Sequence, residues 1–499
     1  NKLYYNVYKT KIIMIIEQRP LYNTLPVGQD IIFTVSDNTI VANNLRVKFT
    51  AQVFIADDVS NVYQSTSLAA TLKVTPNNKG VGIFSLTSIL ESYVSPQEEG
   101  VNFDDVIFST FKGTSFTENT PHPIHLIDKY VCNKNNTKYF GVSFNIEYYN
   151  SAVSTSVITF AKPILTDQYL IFNGVLNYDA VLKLSNNNYG YNLNQEKLVF
   201  NNLYGELGKF ISNAPIEQYA KLTDYGTLSF FNFLNTSTNS FQVGTDDATI
   251  NMVKYILIRL YNGSGTLLGT AIQVDSIVAN GGFNNNNDNS QTRLMFFGAF
   301  PANLDGWSAM WDTHKANVSY YTIQAHDDQD EPISQSYKIN IIGNSCKGFE
   351  SIRLTWLNQW GTWDYYTFKK KSIKSLQTNR TSYTQLGGTW NDRTFRINGY
   401  KGGKKNFRVN TKQLITINTD FINESEAVWF ENLINSTEVY LLNPYDTNIS
   451  DARYGIINKY VEPITVTTSN YIRKTKANDK LIQYTFQLEK THNKRTHSV

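Results

Sequence analysis

The chain has very little cysteine, methionine and proline. There are two cysteines, four methionines and twelve prolines, and charged residues make up 17% of the sequence. Cys132 and Cys346 lie far apart, and neither belongs to a C-x-x-C motif. The spacing supports neither a disulfide framework nor a zinc ribbon. Two buried free thiols are the expected arrangement, with one long-range disulfide as the alternative.

A long apolar run is also missing. No stretch approaches the ~18 consecutive apolar residues of a membrane span, so no membrane partner is expected. Residues 1–13 carry lysines, and the apolar segment that follows is short and has no small-residue cleavage site of a signal peptide. Because Met14 opens a suitable start, Met-Ile-Ile-Glu, we expect residues 1–13 to be an N-terminal extension or arm outside the core.

Motifs of common enzymes are absent. The sequence contains no G-x-S-x-G, no H-E-x-x-H and no Walker loop, and it has only six histidines. No pair of carboxylates stands out as a general acid and base. We therefore expect a protein that is not an enzyme, with no catalytic residue and no cofactor.

Two groups of side chains have metal-binding chemistry without the required pattern. His122 and His125 have Cys132 as their one nearby third ligand, whereas a structural zinc site needs four. Residues 326–331, His-Asp-Asp-Gln-Asp-Glu, lack the glycine and the distal glutamate of a calcium loop. The acidic group is more simply a charged hairpin tip, and we assign no metal ligand.

Aromatic residues are abundant. The chain has 32 Tyr and 29 Phe, and its hydrophobic content is 41%. Many aromatic and β-branched residues favour β structure. The length favours about two to four domains over a single core. We predict a mainly β, multidomain β-sandwich, immunoglobulin-like or jelly-roll-like, with a few short helices.

The predicted strands divide the chain into four parts. These are an extension (1–13), a β-sandwich domain with one helix (14–160), a second β-sandwich domain (161–345) and a basic β-rich domain with a tryptophan hairpin and one helix (346–499).

Several predicted elements have clear patterns. Residues 45–55 alternate between apolar and polar side chains, which predicts a half-exposed strand. Residues 255–274 read as a hairpin around Asn-Gly-Ser-Gly. Residues 422–434 predict a helix with Asn423 as its cap. Other predictions are a short helix at 85–94 and strands at 197–204, 394–397 and 414–418.

Residues 352–374 hold three of the seven tryptophans within eight positions. A strand, a break at Asn358, a turn at 360–364 and a second aromatic strand predict a β-hairpin. Its rings either form a local core, since aromatics supply buried area, or dock a neighbouring subunit, since Trp and Tyr are favoured interface anchors. The subunit-interface candidates are Trp356, Trp360, Trp363, Tyr365 and Tyr366.

Positive charge is concentrated towards the C-terminal end. Residues 346–499 contain 23 Lys and Arg against 13 Asp and Glu, whereas residues 1–345 contain 22 against 29. A net charge of +10 beside −7 indicates that one end meets a negative protein or nucleic acid, or is a solvated basic surface.

A basic, glycine-rich loop lies at residues 399–405. It has the lysines but not the spacing of a phosphate-binding P-loop. Lys401, Lys404 and Lys405 are therefore candidates for contact with DNA phosphates or with an acidic partner.

Five phrases in this order are similar to those of a known family. They are MIIEQRP at 14–20, GIFSLTSILESYV at 82–94, IRLTWLNQWGTWDYYTF at 352–368, ESEAVWFENLINSTEVYLL at 424–442 and LIQYTFQLEK at 481–490. Together they resemble structural proteins of tailed bacteriophages, in particular the ring-forming tail-barrel proteins of crAss-like phages of gut Bacteroidales. The resemblance covers most of residues 14–490 and includes no active-site motif.

The resemblance implies a virion protein of a short phage tail. It implies a homo-oligomeric ring of about twelve copies below the portal, beside the portal and other tail ring proteins, with transient contact with the DNA that passes through. Lys401, Lys404 and Lys405 would then line the lumen or pair with an acidic face of the next subunit. The second option fits the charge asymmetry, because a head-to-tail ring needs two complementary surfaces.

Two other functions remain as alternatives. A host-glycan-binding tail appendage or spike would use exposed Trp and Tyr residues, but it predicts β-helix repeats or a carboxylate pair in a groove, and neither is visible. A bacterial surface adhesin with immunoglobulin-like domains would need an export signal and an anchor, and the sequence shows neither.

Overall fold

A computed structural model gives the fold of the protein. The residues it describes are 14–96, 123–133, 135–150, 157–159, 163–175, 197–200, 207–232, 253–275, 290–327, 329–343, 348–444, 460–474 and 482–492. Strands account for 47% of the structure and helices for 13%. The predicted fold class, a multidomain β-sandwich with a few short helices, is confirmed. The expected N-terminal extension, residues 1–13, lies outside the described residues.

The strands follow one another along the whole described chain. They are β1 (Ile15–Gln18), β2 (Thr24–Gly28), β3 (Ile32–Ser36), β4 (Asn44–Ala56), β5 (Leu68–Val74), β6 (Val81–Ser85), β7 (Tyr130–Cys132), β8 (Thr137–Asn150), β9 (Val157–Thr159), β10 (Ile164–Leu165), β11 (Tyr169–Val175), β12 (Glu217–Ala220), β13 (Thr227–Phe231), β14 (Tyr255–Tyr261), β15 (Ile272–Asp275), β16 (Leu294–Gly298), β17 (Tyr320–His326), β18 (Tyr337–Ile341), β19 (Ile352–Leu357), β20 (Trp363–Phe368), β21 (Ile373–Gln385), β22 (Gly403–Asn418), β23 (Val439–Leu442), β24 (Val461–Val466) and β25 (Thr485–Lys490).

Helices are few and short. The α-helices are α1 (Asn38–Asn43), α2 (Thr87–Glu91), α3 (Pro301–Leu304), α4 (Ala309–His314) and α5 (Glu424–Asn435), and 3-10 turns lie at Val59–Asn61, Ser65–Ser67, Ile124–Leu126 and Ser290–Arg293. Within the described ranges no helix is both long and apolar enough to cross a membrane.

The chain forms two compact units. The first comprises Asn1–Ser212, Tyr225–Asn340 and Asn358–Trp363, and the second comprises Asn213–Asp224, Ile341–Leu357 and Asp364–Val499. The domain boundary expected near residue 160 lies inside the first unit. The boundary expected near residue 345 lies close to Ile341, where a segment of the second unit begins. The division into three domains stays a prediction.

The first unit contains a sandwich of two sheets. One sheet has the order β1-β3-β6, and the other has the order β2-β11-β8-β4-β5, with β9 and β10 also paired to β8. The rings of Phe33 and Phe84 lie 5.8 and 5.5 Å from that of Phe144, centroid to centroid, in the core between the sheets. The predicted strand at 45–55 is β4, and its alternate apolar side chains are buried in this core.

A second pair of sheets in the first unit is joined through Tyr130. One sheet has the order β13-β16-β7, and in the other β18, β17, β14 and β15 pair in that order. The buried Tyr130 hydroxyl donates to the Val274 carbonyl at 2.6 Å and accepts from the Ile256 amide at 3.2 Å. Burial raises the pKa of Tyr130 well above its ordinary value, so the hydroxyl keeps the proton that it donates. The predicted hairpin at 255–274 is confirmed as β14 and β15.

The second unit is built on one sheet and one helix. The sheet has the order β20-β19-β23-β24-β25-β22-β21. Helix α5 covers it with two rings: Trp429 lies 5.1 Å from Trp356 of β19, and Phe430 lies 5.7 Å from Phe486 of β25. This aromatic cluster is the core of the unit.

Helix α5 confirms the helix predicted at 422–434. The Asn423 side chain accepts from the Glu426 amide at 2.8 Å, and the Glu426 carboxylate accepts from the Asn423 amide at 2.8 Å. This reciprocal pair satisfies two amides that the first turn of a helix leaves without partners.

Three predicted elements need correction. The predicted strand at 394–397 is irregular and exposed, and residues 197–200 form no strand, while the rest of that prediction lies outside the described residues. The helix at 85–94 is reduced to Thr87–Glu91. The Thr87 hydroxyl does not cap it, because it accepts from the Ile31 amide and donates to the Gln29 carbonyl.

Strand β21 was not predicted at all, and β22 is much longer than the strand predicted at 414–418. Because β21 and the outer part of β22 bury neither face, their side chains do not alternate between apolar and polar, and the sequence gives no strand signal there.

Tyr130→Phe is expected to destabilise the first unit by about 1–3 kcal/mol, because it leaves a buried amide and a buried carbonyl short of a partner. Urea unfolding measures the cost, and amide hydrogen exchange should show faster exchange at Ile256. Tyr93→Phe is the control, since this ring is 40% exposed. Equal stability of the two variants would contradict the prediction.

Candidate functional site

The tryptophan hairpin predicted at 352–374 is present as β19 and β20. The turn was predicted at 360–364, but it ends before Trp363, which already belongs to β20. The Asn358 side chain holds the turn together. The Asn358 side-chain oxygen accepts from the Trp360 amide at 2.9 Å and the Thr362 amide at 3.2 Å. Its amide group donates to the Thr362 hydroxyl at 2.9 Å. The Asn side chain thus replaces backbone partners within the turn.

The turn is held tightly inside the first unit. Gly361 has φ +72°, and a Cβ added there would lie 2.0 Å from the Asn173 carbonyl oxygen. The Thr362 hydroxyl donates to the Ile211 carbonyl at 2.6 Å, and the Val175 amide donates to the Gln359 carbonyl at 2.7 Å. Only glycine fits the turn in this position.

The aromatic interface candidates are mostly buried. Trp356, Trp360, Trp363 and Tyr365 are each no more than 4% exposed. Tyr366 is partly buried, and its hydroxyl accepts from the Asp420 amide at 3.1 Å. These side chains pack within the protein, as the core interpretation expects. They do not offer the exposed rings that a subunit interface requires.

A buried ion pair lies beside the hairpin in the second unit. The Arg353 guanidinium is 3.4 Å from the Asp224 carboxylate and donates to the Thr367 hydroxyl at 2.8 Å. Thr367 in turn donates to Asp224 at 2.7 Å, and Arg353 lies over the Tyr365 ring at 5.3 Å. A pair this buried needs such additional hydrogen bonds, so the arrangement is structural.

A cleft of about 460 Å³ opens near this pair, lined by four cationic side chains. Three of the four are in ion pairs: Arg353 with Asp224, Lys374 with Glu350 and Lys490 with Glu462. Little positive charge is left to bind an anion there.

Strands β21 and β22 form a long two-stranded ribbon, residues 373–418, called the ribbon below. The pairing runs from Ile373 opposite Thr416 to Gln385 opposite Gly403, with a register shift between Thr381 and Ser382. Strand β22 also pairs with β25, but only at residues 414–418. At about 3.3 Å per residue, the thirteen residues of β21 span about 40 Å.

The three candidate lysines lie at the outer end of the ribbon. Lys401 is in the loop between the strands, and Lys404 and Lys405 open β22 opposite Thr384 and Tyr383. Lys401 and Lys404 are exposed and Lys405 is partly exposed. The structure therefore brings the predicted group together on one solvent-facing element.

The ribbon is strongly basic. It contains nine Lys and Arg residues and a single acidic residue, Asp392. The two cations nearest its root are paired, Lys374 with Glu350 and Lys412 with Glu489. None of the other seven has an acidic partner among the described residues, and these are Arg380, Arg393, Arg396, Lys401, Lys404, Lys405 and Arg408.

Large apolar side chains are exposed around the loop of the ribbon. Trp390, Ile397 and Tyr400 are 66%, 88% and 75% exposed. The Trp390 ring contacts that of Phe395 at 5.6 Å, and its indole N–H donates to the Gly387 carbonyl at 2.7 Å. The loop is therefore ordered by its own contacts while its rings face solvent.

The residues with metal-binding chemistry do not form a metal site in the described part of the chain. No group of three or more His, Cys, Asp and Glu side chains there could hold a metal ion. His125 is buried edge-on against Trp363 at 4.9 Å, and Cys132 is a buried free thiol. His122 and Cys346 lie outside the described residues.

The acidic group at 326–331 is a charged hairpin tip, as predicted. The Asp327 carboxylate accepts from the Gln329 and Glu331 amides at 3.0 and 2.9 Å. Asp330 pairs with Lys254 at 3.0 Å, and the hydrogen bond from that lysine lowers the pKa of Asp330. These carboxylates are already used to close the turn.

Comparisons with known proteins identify no family. No protein-family model and no curated protein matches the chain. Among solved structures, Salmonella alpha-2-macroglobulin reacted with methylamine matches at 8% identity and a TM-score of 0.18, over 81% of this chain and 21% of that chain. This chain thus spans well under half of that protein, and a TM-score this low supports no conclusion.

Sequence reasoning identified the three lysines but not the four arginines that share the ribbon with them. Arg380 and Arg408 are distant in sequence, and strand pairing brings them to adjacent positions of the ribbon, on opposite faces. Counting charges between residues 373 and 418 would have revealed the excess of cations without any structure.

Gly361→Ala is expected to cost at least about 2 kcal/mol more than Gly265→Ala in urea unfolding. Both glycines have positive φ, +72° and +78°, but an added Cβ at Gly265 meets only the Tyr320 hydroxyl at 3.7 Å. Comparing the two variants therefore separates the energetic cost of the clash with Asn173 from the cost of backbone strain. Equal costs would show that the turn is not packed as described.

Cys132 is expected to be unreactive in the folded protein. Burial raises the pKa of its thiol to about 12, and the thiolate is the reactive form. In a Cys346→Ser variant, which isolates this thiol, iodoacetamide at neutral pH should label Cys132 only after unfolding. Rapid labelling of the native variant would contradict the described burial.

Proposed function

We propose that the protein is a non-enzymatic structural component of a bacteriophage tail, assembled with copies of itself into a ring below the portal. The observation that supports the proposal most is the ribbon. An isolated two-stranded hairpin is marginal in water. An exposed ribbon of this length, with excess charge and apolar side chains at its end, is suited to contact with another molecule.

The β-rich body and the charge asymmetry also support the proposal. A closed ring needs two different surfaces that fit each other from one copy to the next. Residues 1–345 have an excess of acidic side chains and residues 346–499 an excess of basic ones, so one copy can offer surfaces of opposite charge. Because the tryptophan hairpin is packed inside the protein, we place the ring contacts on other, exposed surfaces.

The resemblance to tail-barrel proteins of crAss-like phages supplies the particular setting. In this proposal about twelve copies surround a conduit for phage DNA, in contact with the portal and other tail ring proteins. The protein is then part of the virion, and its role is mechanical and geometric.

Glycan binding is a second candidate function, favoured by one observation. An open cleft of about 400 Å³ at the end of the ribbon is lined by Trp390, Asp392, Gln385 and Lys401. An exposed indole beside polar side chains is an arrangement that can bind a sugar ring by stacking and hydrogen bonds. A tail appendage that binds host glycans would use such a cleft.

Light scattering and negative-stain microscopy of the purified protein test ring assembly, alone and mixed with portal and other tail proteins. We expect closed rings with a mass many times the 56.9 kDa of one chain. Because charge complementarity contributes to the contacts, the rings should loosen at about 1 M salt, where the Debye length is about 3 Å. Chains that stay monomeric under all these conditions would contradict the proposal, and glycan-array binding by such monomers would favour the second candidate.

A further inference from the structure

We propose that the ribbon is a binding element for double-stranded DNA, which enters a groove of the duplex and places its cations against the phosphates on both sides. The inference does not depend on ring assembly, since a single ribbon is sufficient to bind.

The outer part of the ribbon carries a large excess of positive charge. Between residues 380 and 408 the ribbon has seven cations and one acid, a net charge of +6. Duplex DNA carries a phosphate charge about every 1.7 Å along its axis, and cations that neutralise phosphates release bound counterions. The outer part of the ribbon, from residue 380 through the loop to residue 408, holds all seven unpaired cations and therefore gains affinity from a polyanion.

The unpaired cations lie on both faces of the ribbon. Cross-strand partners share a face, and successive residues alternate between faces. Arg380, opposite Val409, and Lys404, opposite Thr384, lie on one face. Arg408, opposite Thr381, and Lys405, opposite Tyr383, lie on the other. An element that docks on a flat surface uses one face, whereas an element in a groove meets charge on both.

The ribbon is narrow enough to enter the major groove of duplex DNA. Paired strands lie about 4.8 Å apart, and the major groove, about 12 Å wide, admits a two-stranded β-ribbon. Beyond its root the ribbon pairs with no other strand of the described chain, so its two edges and two faces are open to a groove.

The distribution of rings favours a duplex over a single strand. Proteins that bind single strands place aromatic side chains along the path of the bases. Here Trp390, Phe395 and Tyr400 lie in the loop, and Tyr383 and Phe407 lie on the strands next to it, so the exposed rings are confined to the outer end of the ribbon. The middle of the strands is polar, with Thr378, Asn379 and Asn410 among its residues.

A second copy of the chain fits the ribbon less well. Two ribbons carry charge of the same sign and repel. Six carboxylates of the first unit already have basic partners, so these six are not free to receive a ribbon. The paired carboxylates are Asp57, Glu147, Asp167, Asp305, Asp312 and Asp330.

The test is fluorescence anisotropy of a labelled random duplex of about 30 base pairs, titrated with the purified full chain between about 50 and 200 mM salt. R380Q/K404Q removes the cations of one face, and K405Q/R408Q removes those of the other. K48Q/K79Q is the control, because it removes two exposed lysines of the first unit. Circular dichroism checks that all three variants fold.

We expect each ribbon variant to lose about tenfold or more in affinity and to reduce the slope of log K against log salt by about two, with the control unchanged. Similar losses for both faces support the groove geometry. No binding by the wild type, losses equal to the control, or a loss confined to one face would overturn the proposal.

Light scattering on the same samples separates this inference from ring assembly. Variants that still assemble but lose DNA support the inference. Variants that lose assembly while DNA binding is unchanged overturn it and assign the ribbon to a second copy. A wild type that binds the duplex as a monomer supports DNA binding while contradicting the ring.

Discussion

The exposed ribbon depends on the burial of two alternate residues at its root. Ile415 and Ile417 of β22 lie in the aromatic core of the second unit. Because strand side chains alternate, burying both fixes the register of β22, and a slip of one residue would expose them. Pairing then carries the same register to β21. The outer part has no such support from its own chain, and this contrast is the physical basis of the functional proposals.

Elements with one buried face were predictable from the sequence. Strand β4, the β14–β15 hairpin and helix α5 each show the period of their secondary structure, because one side meets a core and the other meets water. The strands of the ribbon are long, but outside the root neither of their faces meets a core. They are rich in Thr, Asn, Ser, Lys and Arg on both faces, so no apolar periodicity predicted strand β21 or the outer part of β22.

The candidate site was predictable in part for a related reason. Lys401, Lys404 and Lys405 are neighbours in sequence, but Arg380 joins them only through strand pairing across the ribbon. For the tryptophan hairpin the residues and the turn were predictable, but its burial was not. Cores and interfaces favour the same aromatic side chains, so composition does not distinguish a ring packed inside the chain from one that packs against a neighbour.

A structural tail protein with a DNA-binding ribbon joins these observations into one account. In this proposal the protein forms the ring, and the ribbon, rooted in the core of the second unit, binds the DNA that the ring would surround. Cryo-electron microscopy of the assembled particle tests this account most directly. It predicts a closed ring of identical chains with Lys404 and Lys405 facing a central channel. A particle in which the chain forms a peripheral fibre, or a ring whose ribbons point away from the channel, would contradict it.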